Sequence, residues 1–357
     1  IFITALRNIH AGEELNYDYG LIIDERYTPR LKAEYPCFCV QRQLPRHAAG
    51  AQARLGAAGA FRAASQGRPQ GRTPMTGTVQ PLRWPAEAVW EAVAPLLPGF
   101  TVEVLPTIDS TNTELMRRAR AGQADPTLLV AEEQTAGRGR LGRPWQSAGD
   151  RQGPLPSLML SLGLPLAPRD WSGLSLAVGV SVAESLQPAL PAAGSGTPRI
   201  GLKWPNDLWL DGDRKLGGIL VETASFVAPQ DGHAPAGSAA PRYVVVGIGL
   251  NVLPRSGEGM SMPPACLQDV EPGLDAPAAL LRIAPPLVAM LQSFAQYGFA
   301  PVQARFDQRD VLRGRPGALS DGQAGTAHGV AEDGALLVQT PQGMQAVTSS
   351  EISVRPR

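Results

Sequence analysis

Apolar and polar residues recur along the chain with the periods of strands and helices in turn. Short apolar runs predict strands at residues 101–105, 127–132, 157–162, 200–204 and 243–251. Longer amphipathic or apolar stretches predict helices at residues 84–97, 111–121, 171–186 and 276–297. The run at 243–251 is almost uninterrupted, which is typical of a strand buried on both faces.

Turn and cap residues mark the ends of several of these elements. Thr111-x-x-Glu114 predicts a capping box at the start of the second helix, and Gly122 predicts its C-terminal end. Residues 208–222 predict a hairpin that turns at Asp211-Gly212. The pair Pro285-Pro286 should break or kink the helix at 276–297.

Helices and strands alternate irregularly up to about residue 308, and short strands with glycine turns follow. This order predicts an α/β (α+β) catalytic domain with a mixed sheet at 77–308, and a small β-barrel at 309–357. Residues 40–76 contain six arginines, no acidic residue and few core-forming side chains, so we expect a disordered linker. Residues 1–39 have ordinary globular composition.

The composition gives no evidence for a nucleic acid or a membrane as partner. The 357 residues carry 32 basic and 32 acidic side chains, so the net charge gives no argument for nucleic acid or membrane binding. We expect no DNA and no membrane partner. Three cysteines (Cys37, Cys39 and Cys266) argue against a disulfide framework, and no leader sequence is recognisable, which favours the cytoplasm. No HExxH, paired CxxC or Walker loop is present, so we expect no protein-bound metal.

The segment GRGRLGRPW at residues 137–145 carries the strongest chemical signal. Its glycines let the backbone approach a ligand, and Arg138, Arg140 and Arg143 supply forked donors for phosphate or carboxylate oxygens. Trp145 can stack on a flat ring. The pattern predicts a loop that closes over a nucleotide. An RGG-type RNA segment is the alternative, and a single copy between strands and helices argues against it.

Two further segments place polar side chains beside ordered elements. Lys203 in KWPNDLWL ends a buried strand, which is costly unless the ammonium meets an anion; the alternative is a surface lysine. Ser110, Thr111 and Asn112 stand at a helix start, where they cap the helix, bind a ligand or do both.

Glycines also interrupt two apolar strands, in KLGGILVE and VVVGIGLNV. Gly217, Gly218, Gly247 and Gly249 indicate either a ligand close to the backbone or tight helix-on-sheet packing. Asn251 ends the second strand, where it binds a ligand or caps a turn.

In order and spacing, the segments DSTNTEL, EEQTAGRGRLGRPWQS, KWPNDLWLDGDRKLGGILVE and VVVGIGLNV resemble the biotin protein ligase family, over roughly residues 84–356. The resemblance implies a catalytic domain of the class II synthetase and biotin–lipoyl ligase type, and an SH3-like C-terminal barrel. It implies an ATP-dependent ligase that forms biotinyl-5′-AMP and transfers biotin to a lysine of a biotin carboxyl carrier protein. ATP with Mg²⁺ and biotin would be substrates, and a homodimer is one option for the assembly.

The same resemblance assigns roles to individual residues. Lys203 and Arg140 would be catalytic. Biotin would be bound by the residues Ser110, Thr111, Asn112, Gln134, Arg138, Gly139, Arg140 and Lys203. The nucleotide would contact Arg140, Arg143, Trp145 and Asn251.

Other classes remain in view. A lipoate–protein ligase of the same superfamily is the nearest rival, and GRGRLGRPW with KWPND favours biotin. A DNA-binding repressor would need a winged helix, for which residues 75–101 leave no room. Residues 1–39 resemble the C-terminal end of a SET-domain lysine methyltransferase, with Tyr17 and Tyr19 matching its tyrosines, but the fragment is too short to act as one. We therefore expect the working enzyme to begin at Met75.

Overall fold

The computed structural model of the chain describes residues 82–145, 154–192, 194–211, 213–225, 241–257, 262–319, 324–348 and 354–356. The predicted methyltransferase-like fragment at 1–39 and the predicted linker at 40–76 lie outside the described residues. They stay predictions.

Five helices are described. They are α1 (Ala86–Val93), α2 (Thr111–Arg120), α3 (Leu174–Leu186), α4 (Ala276–Tyr297) and α5 (Gln303–Asp307). The first seven strands are β1 (Thr101–Leu105), β2 (Thr127–Ala131), β3 (Ser157–Leu166), β4 (Gly201–Lys203), β5 (Asp207–Leu210), β6 (Arg214–Ser225) and β7 (Arg242–Asn251). All predicted elements of the catalytic domain are present. Their ends differ by a few residues.

These seven strands form one mixed sheet with the order β1-β2-β3-β7-β6-β5-β4. Strands β1 and β2 are parallel, and every other neighbouring pair is antiparallel. The predicted mixed sheet and the hairpin at Asp211 are therefore confirmed, with Leu210 paired to Arg214 across the turn.

Strand β7 shows how the sheet divides the molecule. One set of alternating residues joins the main core beneath α3 and α4, namely Val244, Val246, Ile248 and Leu250. Tyr243 and Val245 face the other way and pack with Leu115 of α2. Both faces of β7 are thus buried, as predicted. Beyond Val245 this second face carries Gly247, Gly249 and Asn251, and the two glycines let side chains from other elements approach the backbone closely.

Two details of the helices correct the sequence predictions. The N-cap of α2 is Ser110, whose hydroxyl accepts a hydrogen bond from the Thr113 amide. The capping box predicted for Thr111 and Glu114 was wrong, because the N-cap is one residue earlier than Thr111 and Glu114 pairs with arginines on α2.

Helix α4 continues through Pro285 and Pro286, so the predicted break was wrong. The carbonyls that lose their amide partners belong to Leu281 and Arg282, four residues earlier. Both residues are exposed, so solvent water can satisfy those carbonyls.

Helix α4 is also long and apolar enough to cross a membrane, with a mean hydropathy of 1.4 over its best window. Half of that window is buried inside the protein, as in a core helix, and α4 packs against α3 and β3.

Five short strands follow: β8 (Pro316–Leu319), β9 (Ala324–Val330), β10 (Leu336–Thr340), β11 (Gly343–Val347) and β12 (Val354–Pro356). They form an antiparallel sheet with the order β11-β10-β9-β8-β12, which agrees with the predicted small C-terminal barrel. Its β9–β10 turn docks on the catalytic domain, where Trp204 Nε1 donates to the Gly334 carbonyl over 3.1 Å. Arg315 and Asp213 join the two parts again through paired hydrogen bonds of 2.6 Å.

Candidate functional site

Cross-strand pairing places the candidate residues in rows on the sheet face that carries α2. Lys203 pairs with Asp207, Asp207 with Gly218, and Gly218 with Gly249, so these four form one row. The next row contains Leu220, Gly247 and Ser161, and the third contains Glu222. The rows that contain Lys203 and Glu222 are about 13 Å apart along the strand direction, at the usual rise per strand residue. Gly218, Gly247 and Gly249 lie between these two residues and form the glycine floor of the site.

The start of α2 sits over the second row and carries a closed hydrogen-bond network. Gln134 Oε1 accepts from the Thr111 amide over 2.8 Å and lies 3.2 Å from the Thr111 hydroxyl. The Ser161 hydroxyl lies 2.7 Å from the Thr111 hydroxyl and 2.6 Å from Asn112 Oδ1. Asn112 lies so close to Gly247 that any side chain there would collide with it. This end of the site is polar and uncharged.

The glycine–arginine loop folds back on itself as a narrow hairpin. The Gly139 amide donates to the Arg143 carbonyl over 2.7 Å, and the Trp145 amide donates to the Gly137 carbonyl over 2.8 Å. At the tip Leu141 has a φ of 57°, a left-handed conformation that costs a non-glycine residue about 1 kcal/mol or more. The predicted loop is therefore ordered and lies beside the sheet.

Glu222 ties this loop to the sheet, and the sequence reasoning missed it. Its Oε2 accepts from Asn112 Nδ2 over 2.9 Å. One terminal nitrogen of Arg138 donates to both carboxylate oxygens over 3.1 and 3.0 Å, while Arg138 Nε donates to Thr113 Oγ1 over 3.0 Å. A carboxylate inside the apolar run GGILVETA was the available signal, because a charge in a covered strand requires a partner.

Positive charge collects at the other end of the floor. Burial lowers the pKa of the Lys203 ammonium; Asp207 opposes the shift, while Lys215, Arg143 and Arg140 reinforce it. Lys203 lies 5.1 Å from the centroid of Trp209, and in the described part of the chain it forms no salt bridge.

Arg140 reaches the same end of the site. Its NH1 lies 3.4 Å from Asn206 Oδ1, and burial lowers the pKa of its guanidinium as well, with Asp207 opposing and Arg143 reinforcing. Asn206 is held in turn by the Ile219 carbonyl, to which its amide donates over 2.7 Å. Cations crowded together with little neutralising charge stabilise a bound anion. A surface lysine, the alternative interpretation of Lys203, does not explain this cluster.

Trp145 closes the floor from above. A Cβ added to Gly249 would lie 2.6 Å from Trp145 Cε2, so the indole rests directly on this glycine. Its Nε1 is buried and has no hydrogen-bond partner among the residues that the structure describes. Asn112 of α2 covers Gly247, which supports the helix-on-sheet interpretation there, whereas Gly249 is covered by Trp145 of the hairpin and not by a helix.

The side chain of Asn251 is engaged in hydrogen bonds within the protein. Its Nδ2 donates to the carbonyls of Lys215 and Ala265 over 3.2 and 2.9 Å, and its Oδ1 accepts from Arg255 over 3.1 Å. The predicted contact with the nucleotide stays a prediction.

The structure therefore gathers the predicted residues into two groups on one floor. Ser110, Thr111, Asn112, Gln134 and Arg138 belong to the polar end. Gly139 lies on the hairpin stem, and the cationic end holds Lys203, Arg140 and the exposed Arg143. Besides Glu222, the missed residues are Ser161, Asn206 and Asp207. The last two were visible in the KWPND motif, whereas Ser161 in LMLSLGL resembles an ordinary core serine.

Comparison with known proteins agrees with this geometry. Residues 104–232 match the biotin/lipoate A/B protein ligase family, and residues 318–355 match the biotin protein ligase C-terminal domain. The bifunctional ligase/repressor BirA of Escherichia coli is 35% identical over 269 residues, which cover 72% of this chain and 75% of that protein. The biotin–acetyl-CoA-carboxylase ligase of Paracoccus denitrificans is 32% identical over 257 residues, 70% of this chain and 98% of the relative.

A solved structure gives the same result. The biotin protein ligase of Aquifex aeolicus in complex with biotin and ATP aligns with a TM-score of 0.56 at 27% identity, covering 72% of this chain and 99% of that one. With relatives above 30% identity aligned over most of their length, this chain belongs to the biotin protein ligase family.

Proposed function

We propose that the chain binds biotin and ATP on the glycine floor, forms biotinyl-5′-AMP and transfers the biotinyl group to a lysine of a biotin carboxyl carrier protein. The observation that carries this proposal is the polarity of the site. One end offers neutral hydrogen-bonding groups around Thr111 and Gln134, and the other offers the cations Lys203 and Arg140. Biotin has the matching polarity, with a neutral ureido ring at one end and a carboxylate at the other.

The charge balance within the site supports the same orientation. Arg138 is neutralised by Glu222, so the polar end presents hydrogen-bond donors without net charge. Lys203 has no such partner in the described chain, so the cationic end retains its attraction for an anion. A ligand bound the other way would place its carboxylate at the end without net charge and lose the attraction of Lys203 and Arg140.

In the first reaction the biotin carboxylate attacks the α-phosphorus of ATP, and the bond to the bridging oxygen of the β-phosphate breaks. Carboxylate and phosphate repel each other, and Lys203 and Arg140 offset that repulsion by holding both. Catalysis then consists of positioning and electrostatic stabilisation. We propose that ATP enters as its Mg²⁺ complex, so that the departing pyrophosphate leaves with its charge partly neutralised.

In the second reaction the neutral amine of a carrier lysine attacks the biotinyl carbonyl carbon. AMP leaves and the ammonium releases a proton to solvent. The mixed anhydride is already activated, so the protein must mainly keep water away until the amine arrives. The hairpin at residues 137–145, with Trp145 on the floor, is placed to cover the intermediate.

Lipoate is the substrate to exclude. Its dithiolane ring has no N–H donor for Gln134 and no carbonyl, so the polar network would stay unmatched. The test incubates the purified protein with ATP, a biotin carrier domain or a lipoyl domain, and each acid in turn. Intact mass should show biotin on the carrier lysine and no lipoyl product. Lipoylation at a comparable rate would refute the proposal.

The remaining proposals concern context. We propose cytoplasmic action on a carrier domain, without DNA or a membrane as partner and without a metal held by the protein alone; a homodimer is compatible with the fold. The support is a chain with no net charge, in which the stretch at residues 40–76 is basic and free of acidic residues but has few core-forming side chains. The relatives named ligase/repressor make DNA binding the point most worth measuring.

A further inference from the structure

Within the proposed function, we infer that Glu222 is a positioning residue that fastens the glycine–arginine hairpin to the sheet before biotin arrives, and that it sets the affinity for biotin through Arg138 and Asn112. Four hydrogen-bond contacts join these side chains to one another and to Thr113. Glu222 contributes no atom to the adenylation chemistry.

The position of Glu222 has no other explanation in the fold. After Lys215, it is the one charged residue in the rest of β6, and it lies on the face that carries α2. Its side chain is 25% exposed and that of Arg138 is 40% exposed, so water screens the pair only in part. Without Arg138, a carboxylate at this position would lose part of its hydration and gain no opposite charge in exchange.

Glu222 acts first through Asn112. The Asn112 amide donates to the Leu220 carbonyl over 3.2 Å and to Glu222 over 2.9 Å, and its oxygen faces Ser161 at 2.6 Å. These partners fix the position of the Asn112 amide and decide which of its ends is the oxygen. Glutamine at this position keeps a single acceptor oxygen for the two donors from Asn112 and Arg138, so one of them loses its partner and the network that also orients Thr111 is weakened.

It acts second through Arg138. The guanidinium bridges Glu222 on the sheet and Thr113 on α2, so the stem of the hairpin is pinned at two points. Without the carboxylate, the hairpin keeps the contact of Arg138 with Thr113, the packing of Trp145 and the contact of Arg140 with Asn206, but its stem loses the link to the sheet. Biotin would then have to order the loop itself, and the ordering cost would lower its affinity.

The test compares Glu222→Gln with the matched control Glu114→Gln, which also removes a carboxylate paired with arginines but lies away from the floor. Calorimetry with biotin alone should show a Kd at least fivefold larger for Glu222→Gln than for the parent. The control Glu114→Gln should leave the Kd unchanged. At saturating biotin and ATP, kcat should stay within threefold, with the loss appearing in the KM for biotin. A Kd within twofold of the parent, or a loss confined to kcat, would overturn the inference.

A double-mutant cycle separates positioning from general stability. Arg138→Met should weaken biotin binding, and the loss in the double variant Arg138→Met/Glu222→Gln should be clearly smaller than the sum of the two single losses, with the remainder due to the contact between Glu222 and Asn112. Fully additive losses would show that Glu222 does not act through Arg138. Melting temperatures are measured for every variant. If Glu222→Gln melts earlier than the control, Glu222→Asp replaces it, and an unchanged Kd there would also overturn the inference.

A second measurement uses no ligand, so its outcome is independent of the proposed function. Trypsin can cut after Arg140 when the hairpin opens, whereas the Arg143–Pro144 bond resists trypsin in any conformation. Mass spectrometry should show the Arg140–Leu141 bond cleaved at least fivefold faster in Glu222→Gln than in the parent or in Glu114→Gln. Equal rates would refute the fastening role even if the enzyme proves to be a biotin ligase. If the parent fails to bind biotin, the proposed function fails and this measurement still decides the role of Glu222.

Discussion

Replacing Lys203 by Met should impair biotinyl-adenylate formation more than any change remote from the floor. The Met side chain keeps the apolar stem near Trp209, whose ring centroid is 5.1 Å from the ammonium, and removes only the charge. A unit charge 4 Å from a phosphate oxygen contributes about 4 kcal/mol at the effective dielectric of a partly buried site. Arg140 retains part of this stabilisation. We therefore expect a loss between about 1.4 and 4 kcal/mol, or roughly ten- to thousandfold in rate.

The assay follows pyrophosphate release and biotinyl-adenylate in the absence of carrier protein. Arg305→Met is the matched control, because it also removes a cation but from a surface pair with Glu184 on the opposite side of the sheet. Lys203→Arg should recover part of the activity, since it restores the charge with a different geometry. A folded Lys203→Met protein that forms adenylate at the parent rate would refute the assignment of Lys203 to the reacting anions.

Three further outcomes are expected. Trp145→Ala should weaken ATP binding by about 1 kcal/mol and biotin binding by less, because stacking on a base accounts for its role; calorimetry with equal losses for both ligands would contradict this. Burial raises the pKa of Asp310 to about 6, and its Oδ2 is buried without a partner in the described chain, so the folded state binds this proton more tightly than the unfolded state. Stability should therefore fall as pH rises from about 4 to 6, by at most about 3 kcal/mol for a pKa raised from 3.8 to about 6. Asp310→Asn should raise the melting temperature at pH 8 but not at pH 4, and equal effects at both pH values would argue against the carboxylate. A chain that begins at Met75 should keep the melting temperature and ligase rate of the full chain, and a loss of activity on this truncation would assign residues 1–74 a role.

The sequence predicted the elements well where periodicity was strong, and the site where residue types were unusual. The glycines at 247 and 249 stand two residues apart, so a strand must place both on one face, and the floor follows. Cap chemistry was less certain, because Ser110 and Thr111 are both good N-cap residues and only the backbone shows which one caps α2. The prolines of α4 were misjudged because the exposure of Leu281 and Arg282 cannot be known from the sequence alone.

By itself, the sequence determined which groups the protein can offer a ligand. The order of motifs, the arginines of the hairpin and the glycines of β7 are local features, and they point to a nucleotide and an anion without any coordinates. Only the tertiary structure decided which of these groups are already engaged. Glu222 and Arg138 are 84 residues apart, and Asn251 meets carbonyls 36 and 14 residues away, so no local pattern reveals those partners. Such contacts arise from strand register across the sheet, and that register makes one end of the site neutral and leaves the other cationic.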